Sequence, residues 1–264
     1  MNETEAWRWL LGFVGAGSRP GRDGRNSCGL PEPLEPEARR LLDLYLPLCH
    51  GCPGRFAVGH LGQSLDGRIA IANGASQWVT GPEDVVHNHR MRALFDAVIV
   101  GAGTVRHDNP RLTVRSVEGE HPVRVVLDPR RRLAAHFGVF TDGAAPTLLL
   151  CDAALARPGA RLGQAEVVGV AADERGLAPR AVLDCLAGRG LVRIFVEGGG
   201  VTVSRFLAAG CLDRLQITVA PVILGSGRPG IVLPEIERVT AALRPATRRF
   251  ALGEDMLFEC RFDG

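Results

Sequence analysis

The chain has 264 residues, 46% hydrophobic and 23% charged, the balance of a globular domain, which excludes wholesale disorder. Its 31 basic and 29 acidic residues leave a formal charge of +2, so no global positive field favours nucleic acid or anionic lipid as a partner. Every one of the 31 basic residues is arginine; with no lysine, Schiff-base chemistry, P-loop phosphate binding and tyrosine–lysine hydride-transfer pairs are excluded.

Residues 1–54 read as a helical appendage, in which helical patterns at 5–14 and 35–46 flank a flexible Gly/Arg/Pro-rich stretch at 15–36. The first pattern is apolar but short and lacks a basic flank, so it is neither a signal peptide nor a membrane span. From 55 to 264, apolar β-branched runs alternate with helical segments, as in a single α/β domain. Strands are expected at 56–60, 68–72, 97–100, 123–127, 147–151, 167–170, 193–196, 214–220 and 256–262, with helices at 81–95, 179–186 and 201–209. The last strand-rich segments have no full crossover helix between them, which predicts a mixed, mostly parallel sheet with an antiparallel C-terminal edge. Seven scattered cysteines, odd in number, fit reduced thiols in the cytoplasm.

Three segments carry candidate chemistry. Residues 62–70 hold Asp66-Gly67, readable as a hairpin turn or as part of a site, and Ser76-Gln-Trp78 follows with a hydroxyl and a stacking surface. Gly101 and Gly103 follow a buried strand, but Arg106 takes the third glycine position of a dinucleotide fingerprint and Asp108-Asn109-Pro110 stops any long helix; a backbone nest beside a cofactor remains open. The strongest is a strand at 193–196 leading through Glu197 and Gly198-Gly199-Gly200 into a helix, where close backbone approach and free helix-start amides suit a phosphate or pyrophosphate. Arg92 and Arg115 offer a bidentate clamp for a substrate phosphate. Arg130, Arg131 and Arg132 read as a solvated run. No metal site is expected: Cys49-His50-Gly51-Cys52 is a lone C-x-x-C, and His87 and His89, two apart on a helix, should point to different faces and be solvated.

Residues 56–262 resemble the reductase domain of the bacterial riboflavin-biosynthesis deaminase/reductase family, whose fold is that of dihydrofolate reductase. The resemblance rests on ordered motifs: SLDGRIA from Ser64, SQW from Ser76, LFDAVIVGAGTVRHDNPRLTVR from Leu94, PVRVVLD from Pro122, FVEGGG from Phe195 and LAAGCLDRLQITVAPVILGSG from Leu207. It implies an NADPH-dependent oxidoreductase that opens and reduces the ribose of 5-amino-6-(5-phosphoribosylamino)uracil by hydride delivery to C1′, and a homodimer formed through the C-terminal sheet region. It further implies cofactor contacts at Gly62, Trp78, Thr104, Asp108, Gly199, Gly200, Val201, Thr202, Val203 and Ser204, and substrate contacts at Ser76, Arg92, Leu112, Arg115 and Glu197. If the family preference for NADPH holds, the run of Arg130, Arg131 and Arg132 alternatively offers charge for its 2′-phosphate. Residues 1–54 are unmatched where bifunctional members carry a deaminase half, so reduction alone is expected. The family's lysine in the first strand is replaced by His60, and protonation must come from His60, Asp66, Glu197 or water. Two readings compete with this one: the same fold reducing another pyrimidine- or pterin-like compound, and a non-catalytic nucleotide-binding homologue. For His60 itself, a charged ligand contact competes with a half-buried neutral histidine that only packs.

Overall fold

A computed structural model describes residues 1–15, 33–49 and 54–262. Two helices come first, α1 (Glu3–Gly15) and α2 (Pro36–Cys49). The chain then runs through β1 (Phe56–Ser64), β2 (Arg68–Ile71), α3 (Pro82–Leu94), β3 (Ala97–Gly101), α4 (Ala102–Asp108), β4 (Val123–Leu127), α5 (Gly138–Thr141) and β5 (Thr147–Asp152). Four short strands follow or flank the next turn: β6 (Arg161–Leu162), β7 (Ala165–Val170), β8 (Ala172–Asp173) and β9 (Gly176–Leu177). The rest comprises α6 (Pro179–Ala187), β10 (Arg193–Glu197), α7 (Gly200–Ala208), β11 (Arg214–Ala220), β12 (Gly227–Pro229), β13 (Ala246–Leu252) and β14 (Asp255–Arg261).

Ten of these strands form one sheet in the order β13-β14-β11-β1-β10-β3-β4-β5-β7-β6. From β11 to β7 every neighbouring pair is parallel, whereas β14 and β13 add on antiparallel, so the expected mixed sheet with an antiparallel C-terminal edge is what forms. The central strands are apolar on both sides because both faces are covered. Val98 and Val100 of β3 and Phe195 of β10 join one core cluster, while Ala97 and Ile99 of β3 and Ile194 and Val196 of β10 join the other. Helices α6 and α7 cover the second face through Val182, Leu183, Leu186, Val203 and Phe206.

The first face is covered by α3 and then by α1 and α2, whose Trp7, Leu10, Leu41, Tyr45 and Leu48 share its core. Trp7 Nε1 donates to the Glu118 carbonyl at 2.9 Å, and Arg90 lies over the rings of Trp7 and Tyr45. The two N-terminal helices therefore pack on the core rather than standing off it. Most of the 15–36 stretch, and His50 to Cys52 of the C-x-x-C, lie outside the described residues.

The double layer corrects the expectation for His87 and His89. Both are buried, because α3 is sandwiched between the sheet and α1, so neither of two opposite faces meets solvent. His89 Nδ1 accepts the Arg115 backbone N–H at 2.9 Å. Strand β13 was not expected, since its Thr247, Arg248 and Arg249 lie on an exposed edge and give no apolar alternation.

Candidate active site

The carboxyl ends of β1, β10 and β3 open onto a cleft of about 750 Å³, the place where parallel sheets put their ligands. Of the residues expected from sequence, His60, Gly62, Ser76, Thr104, Asp108, Leu112, Glu197, Gly199, Gly200, Val201 and Thr202 line it. They come from four elements, β1, α4, β10 and α7, and from three loops, and only the sheet brings them together.

The glycine run after β10 is forced by geometry. Gly198 sits at φ 118°, in the region open to glycine, and a Cβ on Gly200 would lie 2.2 Å from the Gly230 carbonyl. Helix α7 thus begins on bare backbone with no side-chain cap, and the first-turn N–H groups of Gly200 and Val201 have no partner inside the helix. A narrow backbone cradle with free donors and the positive end of a nine-residue helix fits the diphosphate of a dinucleotide. Val203 and Ser204 do not share this role: Val203 is fully buried in the α6–α7 core, and Ser204 Oγ accepts the Val232 N–H at 2.9 Å.

The floor of the cleft is polar and ordered. Glu197 receives both Arg92 Nε, at 2.7 Å, and Arg92 Nη2, while Arg92 Nη1 donates to the Thr113 carbonyl. Burial opposes the Arg92 charge, but Glu197 more than compensates and moves the guanidinium above its ordinary range. Arg92 is therefore committed within the protein, and Arg115 donates to Thr113 Oγ1 at 2.7 Å; neither lines the cleft, and the expected two-arginine clamp does not form. Burial, and then the nearby charges of Arg92 and Arg111, push Arg115 down, the mark of a crowded positive patch.

Beside Glu197, His60 occupies the matching position on β1. Its Nε2 lies 3.2 Å from Asp84 Oδ1 and 3.2 Å from Thr218 Oγ1. Thr218 and Thr80 hydroxyls donate to the two Asp84 oxygens at 2.6 and 2.8 Å. Burial raises the Asp84 carboxyl, yet His60, then His87 and Thr218, outweigh it and hold the group well below the usual carboxylate range. Behind this cluster Tyr45 O–H donates to His87 Nδ1 at 2.7 Å and His87 Nε2 donates to Gln216 Oε1 at 2.9 Å. Burial first, and then His60, lower His87 to about 3, so it stays neutral.

Asp66 stands apart. Its carboxylate accepts from Ser64 Oγ and from the Leu224 and Gly225 N–H groups, contacts that hold it at about 2 and tie the β1–β2 turn to the 221–226 loop. It does not line the cleft. Trp78 is 85% exposed, between cleft-lining Ser76 and Val79. Trp78 (φ 69°) and Leu112 (φ 55°) both hold left-handed backbone without being glycine, a strain that collects at functional sites. Sequence reasoning missed Asp84, Thr80 and Thr218. Asp84 lies in the first turn of α3, where the helix end alone accounts for an acid, and its position three residues before His87 puts it on the stripe that meets the sheet.

A smaller recess of about 300 Å³ adjoins the cleft at Ala102, Pro129 and Arg175. Arg106, Arg130, Arg132 and Arg175 line it, together with Asp128, Asp152, Asp173 and Glu174.

Fold and site define a mixed α/β protein with a glycine-rich cleft at the carboxyl rim of its sheet. The RibD C-terminal domain family matches residues 56–257, and the chain belongs to that family. It is 34% identical over 216 residues to the 2,5-diamino-6-ribosylamino-4(3H)-pyrimidinone 5′-phosphate reductase of Methanothermobacter thermautotrophicus, covering 79% of this chain and 99% of that one. It is 35% identical over 164 residues to the riboflavin biosynthesis protein RibD of Bacillus amyloliquefaciens, covering 61% of this chain but only 44% of that protein. The chain thus spans less than half the length of that relative. The crystal structure of the Thermotoga maritima deaminase/5-amino-6-(5-phosphoribosylamino)uracil reductase superposes with a TM-score of 0.66 at 28% identity, over 85% of this chain and 61% of that one.

Proposed function

We propose that this chain is a riboflavin-biosynthesis reductase that uses NADPH to reduce the ribose of 5-amino-6-(5-phosphoribosylamino)uracil or of its 2-amino analogue. The observation that carries the reading is the cleft itself, in which the bare start of α7 faces the paired floor groups His60–Asp84 and Glu197–Arg92. When bound, the dihydronicotinamide supplies a hydride to C1′; the protein supplies geometry. Gly199, Gly200, Val201 and Thr202 bind diphosphate, with Gly62, Thr104 and Asp108 along the same wall. Glu197, fixed by Arg92, orients the substrate with Ser76 and Leu112, and the positive charge of Arg111 and Arg115, outside the cleft lining, attracts its phosphate over distance.

The near-complete match to the stand-alone archaeal reductase favours the 2-amino analogue as the alternative substrate. NADPH oxidation measured with each of the two pyrimidines decides between them, and turnover of neither would reject the proposal. The preference for NADPH over NADH rests on the family resemblance, since the four arginines of the adjoining recess are matched by four acids; equal affinity for both cofactors would overturn that preference. We further propose residues 55–264 as the reductase unit with residues 1–54 as its helical cap, and a cytoplasmic homodimer. Exposed Ile223, Ile236, Val239 and Leu243, in the segment between β11 and β13, support the dimer. Sedimentation at the mass of one 28.2 kDa chain would reject it.

A further inference from the structure

We propose that His60 and Asp84 work as a couple, in which Asp84 fixes the imidazole by its Nε2–H so that Nδ1 delivers the proton that accompanies reduction. The proposal rests on the reductase reading above and adds the source of the proton. It is carried by geometry. Both Asp84 oxygens are engaged, Oδ2 by the Thr80 hydroxyl and Oδ1 by the Thr218 hydroxyl and His60 Nε2. A carboxylate held this way accepts, so Nε2 is the protonated nitrogen, as in other carboxylate–histidine pairs. His60 Nδ1 has no hydrogen-bond partner among the described residues, and His60 lines the cleft. The imidazole, 3% exposed, is thereby oriented on one side by the protein, and its remaining surface belongs to the cleft.

The groups around His60 support this use. On α3, Asp84 supplies negative charge and His87, with ring centroids 5.3 Å away, is held neutral by its burial. On β11, Gln216 and Thr218 are uncharged. On β10, Phe195 packs at 6.2 Å and Glu197 sits beside His60 in register, its carboxylate already taken by Arg92. Of the groups on the cleft floor, His60 is thus the one with a free titratable nitrogen facing a ligand, in a chain that has no lysine and whose single tyrosine is buried behind His87.

The step balances as follows. As the hydride's two electrons form the new C1′–H bond on the open-chain C1′=N group, NADPH becomes NADP⁺ and the C=N π pair moves onto nitrogen. That nitrogen takes the proton from His60 Nδ1–H, and the neutral imidazole regains a proton from cleft water. The Nε2–H bond to Asp84 persists throughout, so Asp84 is a positioning residue and His60 the catalytic one.

The test uses the full chain, wild type and the variants D84N, H60Q and T218V. Nitrogen-15 NMR of the histidines, with H60Q to assign the signal, reads the tautomer directly in the absence of any ligand. The expected result is Nε2–H for neutral His60. A carboxylate stabilises a neighbouring positive charge, so in D84N the titration of this signal and the alkaline limb of kcat/KM should both move to lower pH. T218V, a one-hydroxyl change, should move them the same way by less, and it serves if D84N does not fold. In H60Q, kcat should fall about 100-fold or more, the size of a general-acid contribution, with the NADPH Kd within about twofold of wild type. An Nδ1–H tautomer in the wild type, or an H60Q kcat within about threefold of wild type, would overturn the proposal. Wild-type protein that turns over neither pyrimidine while showing the Nε2–H tautomer would instead reject the substrate assignment, and with it the proton's destination, while leaving the Asp84–His60 pairing standing.

Discussion

The two faces of the sheet differ in what they bury. Under α6 and α7 the core is built from apolar residues such as Val182, Leu183, Leu186, Ile194 and Val203, with the Ser204 hydroxyl taken up by the Val232 N–H. Under α3 a chain of polar groups runs from Tyr45 through His87 to Gln216, with His60, Asp84 and Thr218 alongside, and every one of these side chains is buried. A buried polar group without partners costs stability, and of the buried atoms in this network only Gln216 Nε2 lacks one among the described residues. The same helix shows both regimes: Asp84 and His87 stand on the stripe that continues into Met91, where α3 leaves the cleft and the packing becomes apolar. The polar face is the functional face, and the contrast can be broken at chosen points.

The largest effect is expected at the Arg92–Glu197 pair. Arg92→Ala leaves a mostly buried carboxylate without its partner and should cost about 3 to 5 kcal/mol in urea unfolding, with activity lost as well. On the apolar face, Leu186→Ala should cost about 2 to 5 kcal/mol, yet leave the pH profile of kcat unchanged. If the two variants lose activity alike, the distinction between the faces is wrong.

The pH dependence of stability sharpens the contrast. His87 is held neutral in the folded chain, at about 3 against an ordinary value near 6.5, so below about 6.5 the unfolded chain takes up a proton that the folded one refuses. Stability from this group is complete above the ordinary value and falls as pH drops towards 3, at up to about 1.4 kcal/mol per unit. His89, lowered to about 4 by burial and then by Arg92 and Arg115, adds in the same direction. Urea midpoints between pH 7 and 5 should therefore decline, and less steeply in His87→Gln. A flat profile would mean that His87 is not held neutral. The smallest effect is expected outside the cleft lining, where removal of a positive charge in Arg115→Ala should raise the substrate KM about threefold, the size of an exposed charge interaction, and leave the NADPH Kd unchanged. Equal losses for both ligands would make Arg115 a structural residue through Thr113.

Much of the fold was legible because strands covered on both faces are continuous apolar runs; β4 and β11 fall on the expected residues, and α3 begins at its proline. The polar β13 and the short α4 escaped because neither carries a periodic apolar signal, and α4 gives way at Asn109, which takes left-handed backbone. In the site, the three glycines and Glu197 were readable, since a strand ending in bare backbone is unusual for a plain turn. Asp66 was read as a catalytic candidate because a carboxylate beside a glycine looks the same whether it faces a ligand or, as here, pins a turn to a loop.

What the amino-acid sequence determined by itself is the local grammar: apolar runs, glycine turns, helix starts and the absence of lysine and of a spare tyrosine. What only the tertiary structure decided is which polar groups meet. Asp84 and Thr218 lie 134 residues apart, His60 and Thr218 158 apart, and Arg92 and Glu197 105 apart. Periodicity shows which face of a helix is turned inward, but not what covers the opposite face; that is why His87 and His89, spaced as if one must see water, are both buried between a sheet and a second layer of helices.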